Sequence, residues 1–195
     1  MKKPYHHGNL KEELVSAGIA ALAKDGVSGL RLREVAARAG VTHTAVYRHF
    51  AGKEDLLASI AEQGFLGLVK RVDTYQKRAG SNLRKQYLES GRAYVEFAMD
   101  NPEQFRIMFS GVIRDRKAHP ELAKAADESF GQLVAIVEEC RVKGIIPVHR
   151  DRHVHALAAW SMLHGIATLL IEGQFASGRA RTRYLTHALL RLLIA

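Results

Sequence analysis

Apolar residues recur three and four positions apart along almost the whole chain, and nowhere do they alternate one in two. Three-to-four spacing lines up side chains on one face of an α-helix, whereas a half-buried strand needs a period of two. In the first stretch Leu10, Leu14, Ala17 and Ala21 form one ridge beside Val15, Ile19 and Leu22. The pattern therefore restricts the chain to an all-α fold, and no 20-to-50-residue period suggests a repeat architecture.

Turn and capping residues divide this pattern into about nine helices. The first is expected from about Leu10 to Asp25, with Asn9 as its cap, Glu12 three positions on, and Gly26 just past its end. A short helix over about Leu32–Ala39 buries Leu32, Val35, Ala36 and Ala39 and stops at Gly40. Thr42 caps a third helix running through Phe50, with Val46 and Phe50 sharing its inner face. A fourth, long helix runs from about Lys53 to the region of Arg78, Ala79 and Gly80. The remaining helices are expected over about Leu83–Asp100, Glu103–Phe109, Pro120–Lys143, Asp151–Glu172 and Arg179–Leu193.

Composition excludes several classes. With 47% hydrophobic residues and four prolines in 195 residues, one or two small domains can bury a sizeable core, and disorder is ruled out. The single cysteine, Cys140, leaves no internal disulfide and no multi-cysteine metal site, which fits a reducing cytoplasm. The first residues lack the apolar run of a signal peptide. The longest aliphatic runs, such as Gly165–Ile171, fall short of the roughly 20 residues that cross a bilayer, so no membrane partner is expected.

The formal net charge is +9, a balance that suits a polyanionic partner such as nucleic acid. Its distribution does not point to the N-terminal segment. Residues 1–62 hold nine cations against seven acids. The remaining excess lies downstream, in pairs such as Lys70/Arg71, Lys77/Arg78 and Arg84/Lys85. On charge alone, an ordinary solvated surface accounts for it equally well.

Two short helices joined by Gly40-Val41-Thr42, following a longer one, meet the description of a helix-turn-helix. Val35, Ala36, Ala39, Val41, Val46 and Phe50 would lock the second and third helices together and leave the other face of the third free. That face carries Thr44 and Arg48, flanked by His43, Ala45 and Tyr47. Hydroxyls and imidazoles hydrogen-bond base edges in a major groove, and an alanine methyl fits against thymine. Tyr47, Arg48, His49 and Lys53 suit phosphates, and the amides opening the fourth helix could add to anion binding.

The string REVAARAGVTHTAVYRHFAGKEDLL, Arg33 to Leu57, resembles the DNA-binding domain of the TetR family of bacterial transcriptional regulators. The resemblance extends over the chain through YHHGNL at Tyr5–Leu10, GRAYVEFAMDNPEQFRIMFSG at Gly91–Gly111 and WSMLHG at Trp160–Gly165. The last is similar to a subgroup with a C-terminal Trp-His-Gly signature. It implies a helix-turn-helix domain over residues 1–52 and an effector-binding and dimerisation domain over residues 53–195, joined by the fourth helix. It also implies base reading by Arg33, His43, Thr44 and Ala45, phosphate contacts by Tyr47, His49 and Lys53, and either role for Arg48. The partners it implies are a double-stranded, pseudo-palindromic operator, a second copy of the chain and a small-molecule effector, with repression the commoner mode and no cofactor. Two positions depart from the family pattern. Arg31 stands where Ser or Thr usually caps the second helix, removing a cap of about 1 kcal/mol, and Val46 replaces a frequent Leu or Pro.

The C-terminal half supports part of this independently. Ala156, Leu157, Trp160, Met162, Leu163, Ile166, Leu169 and Leu170 are followed by Leu185, Leu189, Leu190, Leu192, Leu193 and Ile194. They make the last two helices apolar around most of their circumference, more than one small core can bury, and a four-helix bundle across a two-fold axis would cover them. Such a dimer would set two recognition helices roughly 34–36 Å apart. Tyr94, Phe97, Phe105, Met108, Phe109, Phe130, Trp160, Met162 and His164 either line a pocket for a small apolar ligand or simply fill the core. Trp160 and His164, four residues apart, could face a polar ligand group or serve structure.

Other constellations assemble less. His153 and His155 point about 200° apart on a helix and, with His149, make a poor metal set. Tyr5-His6-His7 reads as a solvated arm. Cys140 follows Glu138 and Glu139, a setting that raises a thiol pKa and makes it inert. No Gly-rich phosphate loop, nucleophile elbow or acid–base pair is present, so the chain does not read as an enzyme. The competing reading is a helical small-molecule-binding protein without sequence-specific DNA binding.

Overall fold

The structure, a computed structural model, describes residues 10–174 and 178–194. Among these residues are nine α-helices, one 3-10 turn and no strand. The helices are α1 (Leu10–Gly29), α2 (Leu32–Arg38), α3 (His43–Tyr47), α4 (Lys53–Ala79), α5 (Leu83–Asp100), α6 (Pro102–Phe109), α7 (Pro120–Val142), α8 (Arg152–Ile171) and α9 (Arg179–Arg191). The 3-10 turn, Arg116–Ala118, was not signalled by the apolar spacing. The Asn9 cap, Tyr5-His6-His7 and most of YHHGNL lie outside the described residues. The chain divides into two compact units, one of residues up to Gly64 with Glu103–Ala123, the other of Phe65–Pro102 with the residues from Lys124 onward.

In the first unit α1 buries Leu14, Val15, Gly18, Ala21 and Leu22. Gly18 lets the backbone approach α4, where an added Cβ would meet Ile60 Cδ1 at 3.0 Å and Leu56 Cδ2 at 3.3 Å. Helical hydrogen bonding carries on to Gly29, beyond the expected end, but Gly26 at φ 65° breaks the run, as a residue without Cβ does at least cost. On α4 and α6 the same economy recurs: a Cβ on Gly64 would overlap Met108 Sδ at 2.5 Å. The Gln104 amide donates to the Ile60 carbonyl at 3.0 Å, so α6 rests directly on the α4 backbone.

In the second unit α5 packs against both α8 and α9, which also meet each other. Its centre is almost wholly buried, from Tyr87 to Ala98 with the exception of Arg92. The approach of α5 to its neighbours depends on Gly91, where a Cβ would lie 2.4 Å from Leu190 Cδ1 and 3.0 Å from Leu163 Cδ2. Asp151 caps α8 by accepting from the His153 and Val154 amides, both at 2.9 Å.

The short aliphatic runs understate one helix. Although its aliphatic runs are short, α8 is 20 residues long and holds an 18-residue window of mean hydropathy 1.6, which by length and composition alone would suffice to cross a membrane, as a core helix of a soluble protein also can. The sequence run missed this because Ala, Gly and Trp residues join its aliphatic clusters into one apolar helix. Part of that surface faces outward: Val154 is 67% exposed and Leu192 of the segment after α9 is 74% exposed, with Leu157, Leu169 and Tyr184 also open.

Gly91→Ala should lower stability by about 1–3 kcal/mol through overpacking, read as a fall in the urea midpoint with an unchanged slope.

Candidate nucleic-acid interface

The Gly40 turn is built by backbone geometry. The Gly40 amide donates to the Ala37 carbonyl at 3.2 Å and the Val41 amide to the Ala36 carbonyl at 3.0 Å, the paired bonds that close a helix through a left-handed glycine. Gly40 takes φ 69°. Thr42 then caps α3, its Oγ1 accepting from the Ala45 amide at 3.3 Å. Opposite this, Arg31 occupies the α2 cap position with extended backbone and no side-chain cap bond, so the first amides of α2 lack the hydroxyl acceptor that a Ser or Thr would supply.

Helix α3 ends at Tyr47, three residues before the expected limit, and Arg48, His49 and Phe50 turn back toward α4. Phe50 nevertheless reaches the core, at 1% exposure, beside Val46 at 0%. The inner face is as the spacing implies except at Ala39 and Val41, which are half-buried rather than buried. Packing of α2 on α1 and of α3 on α2 leaves the remaining side chains on the outside.

Arg33, His43, Thr44, Tyr47, Arg48 and His49 are all exposed, Ala45 and Lys53 half so. His43 and Tyr47 stand edge to face with ring centroids 4.9 Å apart, one turn apart on α3. The face thus offers a hydroxyl, two imidazoles, a phenol, two guanidinium groups and an ammonium, the donor set that base edges and phosphates require. Arg38 pairs with Asp25 at 3.8 Å.

The start of α4 at Lys53 is as expected, and it also carries two acids. Glu54 and Asp55 occupy its first turn; Asp55 accepts from the Ala51 amide at 2.8 Å, and Glu54 from the Arg114 amide at 2.8 Å. Carboxylates at this end complement the helix dipole, and Lys53 is the cation of the same turn.

The aromatic set predicted from the C-terminal half is distributed over both units. In the first, the Phe105 and Phe109 rings meet tilted at 59° with centroids 4.9 Å apart, and Met108 is buried beside Gly64. In the second, Trp160 Nε1 donates to the Tyr94 hydroxyl at 3.0 Å, and that hydroxyl lies 2.9 Å from His164 Nδ1. Phe130 packs on Trp160 at 5.8 Å and Trp160 on His164 at 6.2 Å. Phe97 instead lies under Arg71, 5.6 Å from its ring centroid, and Met162 is half-buried on α8. Burial holds the Tyr94 phenol above its ordinary range and His164 below its own, and the Tyr94 hydroxyl accepts from Trp160. Trp160 and His164 are therefore joined through Tyr94, a partner that no local spacing reveals.

Of the histidines near the start of α8, His155 is buried against the Tyr87 hydroxyl at 3.2 Å, and His153 is exposed beside Arg152. Cys140 is buried, and its thiol is pushed up to about 11, first by burial and then by Glu139, matching its reading as an inert packing residue.

Comparison with known proteins places this geometry. The family model of bacterial regulatory proteins, tetR family, matches residues 14–60, and that of the tetracyclin repressor-like C-terminal domain matches residues 88–193. The solved structure of a protein of unknown function from Rhodococcus sp. RHA1 is 34% identical, with 100% of each chain covered and a TM-score of 0.84. The fatty acid degradation regulator FadR from Bacillus halodurans shares the fold at 14% identity and a TM-score of 0.80, with 95% of this chain and 96% of that one covered. PfmR from Thermus thermophilus, a TetR family transcriptional regulator, shares it at 18% identity and a TM-score of 0.73, covering 93% of this chain and 96% of its own.

Two outcomes follow from these side chains. Arg31→Ser should restore an α2 cap and raise stability by about 0.5–1 kcal/mol, measured by chemical denaturation. His155, His164 and His187 are each held below their ordinary value of 6.5 by burial. The unfolded chain therefore binds more protons as the pH drops below that value, and stability is full above it and lost on acidification. The denaturation midpoint should fall between about pH 7.5 and about pH 5.5, and less steeply in His155→Gln.

Proposed function

The chain belongs to the TetR family of bacterial regulatory proteins, and we propose that it is a repressor that leaves a pseudo-palindromic operator when a small-molecule effector binds. It is a DNA-binding transcriptional regulator, and members of the family typically dimerise. The observation that carries the DNA-binding part of this reading is the exposed polar face of α3, held outward by the full burial of Val46 and Phe50.

In this reading residues 1–52 form the DNA-binding domain. Arg33, His43, Thr44 and Ala45 read base edges, with Tyr47, His49 and Lys53 on phosphates and Arg48 serving either. Residues 53–195 supply dimerisation and effector binding. The outward apolar side chains Val154, Leu157 and Leu169 of α8, with Tyr184 and Leu192 at α9, supply the surface for a second copy. A dimer built on them presents two copies of α3 to half-sites one helical turn apart. The effector site draws on the aromatic residues around Tyr94, Trp160 and His164, whose apolar rings and single hydrogen-bonded chain suit a mainly apolar ligand with one polar group. Because α4 gives residues to both units, an effector that favours one position of α4 shifts DNA affinity by the difference in its own affinity for the two states. DNA binding and a reducing interior both fit a cytoplasmic protein.

Mobility-shift titrations separate the assigned roles. Thr44→Ala or Arg33→Ala should cost about 1–3 kcal/mol against the preferred operator and relax preference at one position per half-site. Lys53→Ala should weaken all duplexes alike and reduce the salt slope by about one ion per chain. A change of sequence preference in Lys53→Ala, or none in Thr44→Ala and Arg33→Ala, would contradict the assignment.

A further inference from the structure

Most of the net positive charge lies beyond residue 62, where the DNA interface makes no use of it. The fold concentrates part of this charge around a cleft of about 210 Å³ in the second unit, lined by Tyr75, Arg78, Lys85, Glu89, Arg92 and Arg183. Four cations thus face one carboxylate.

That carboxylate is already engaged. Glu89 is nearly buried; it accepts from Arg92 Nη1 at 3.1 Å, and Arg183 Nη2 and His187 Nε2 each lie 3.5 Å from it. Arg92 is held from behind as well. Its Nε donates to Glu96 at 2.8 Å, its guanidinium lies 5.3 Å from the Tyr75 ring centroid, and the Tyr75 hydroxyl donates to the other Glu96 oxygen at 2.6 Å. Two buried carboxylates and an aromatic face therefore fix Arg92 in place and leave the rest of its five donors for another acceptor.

Arg78 and Lys85 differ from their neighbours. Among the described residues Lys77 pairs with Asp73, and Arg71 and Arg179 share Asp100. No carboxylate among those residues pairs with Arg78 or Lys85. Lys85 also sits in the first turn of α5, which carries no acid, so its charge opposes the helix dipole there. A cation kept where local electrostatics disfavours it, beside an arginine without a carboxylate and a fixed one, is a conflict that a bound anion resolves.

We propose that this cleft binds a compact polyanion, a phosphorylated small molecule or a polycarboxylate, at a site distinct from both the α3 surface and the Tyr94–Trp160–His164 cluster. Arg92 and Arg183 supply planar donor pairs, and Arg78 and Lys85 close the cleft from its exposed side.

Titration calorimetry of the full chain at about 150 mM salt with pyrophosphate and, separately, citrate tests this. At least one anion should give saturable heat with one site per chain. Arg78→Gln/Lys85→Gln should lower its affinity at least tenfold, and the melting temperature that the anion raises in the parent should stay constant in the double variant. Both replaced side chains are exposed, so folding is retained. Lys53→Ala, which removes a cation from the DNA interface instead, should keep the anion affinity within twofold. Response to pyrophosphate alone identifies the phosphate class, to citrate alone the polycarboxylate class, and to both a reader of charge density. Absence of saturable heat with either anion, full binding by the double variant, or loss of binding in Lys53→Ala would overturn the proposal.

Discussion

The burial of Val46 and Phe50 is the interaction on which the polar outer surface of α3 depends. Each side chain removed from water contributes about 1.5–3 kcal/mol, and both are anchored in one short segment whose own five-residue helix could not persist alone. Once those two side chains face inward, the helical period decides the rest. His43, Thr44 and Tyr47 have no place except outside. The Gly40 turn and the Thr42 cap set where α3 begins, and the inner pair sets which way it faces.

The second unit solves a different problem. Its central helix α5 is buried over most of its length yet carries Glu89 and Glu96, charges that burial would penalise heavily if left alone. Arg92, Tyr75 and the α9 side chains offset that cost, and the Glu96 carboxyl stays ionised because hydrogen bonds from Tyr75 and Arg92 outweigh its desolvation. A second polar chain, Trp160 to Tyr94 to His164, satisfies the groups that aromatic residues bring into the interior. The apolar surface left on α8 and α9 is the part a single copy does not cover.

Helix spans were largely legible in the sequence, because apolar period and turn residues agree. Gly26 and Gly40 mark changes of direction that no residue with a Cβ takes so readily, and α5 occupies the span Leu83–Asp100 that its spacing implies. The exposed face of α3 was legible for the same reason. Less legible was whatever depends on residues far apart in the chain. Phe50 could be assigned to the core but not to a turn beyond α3, since burial and helicity give the same periodic signal over so few residues. Glu54 and Asp55 could be read as charges but not as partners of the Arg114 and Ala51 amides. The link from Trp160 to His164 passes through Tyr94, some 66 residues away from Trp160, and the convergence of Arg183 with Lys85 and Arg92 required α9 to be placed against α5. The i, i+3 and i, i+4 spacing of Glu89, Arg92 and Glu96 was a visible clue to one half of that network.

The most direct test of the account is selection of bound sequences from a random duplex pool by the purified protein, read at two salt concentrations. A two-fold-symmetric motif that survives the higher salt, with half-sites about one helical turn apart, is the result expected of paired α3 helices reading base edges. Enrichment that vanishes at the higher salt and shows no shared motif would contradict it, leaving the polar face of α3 without a sequence to read.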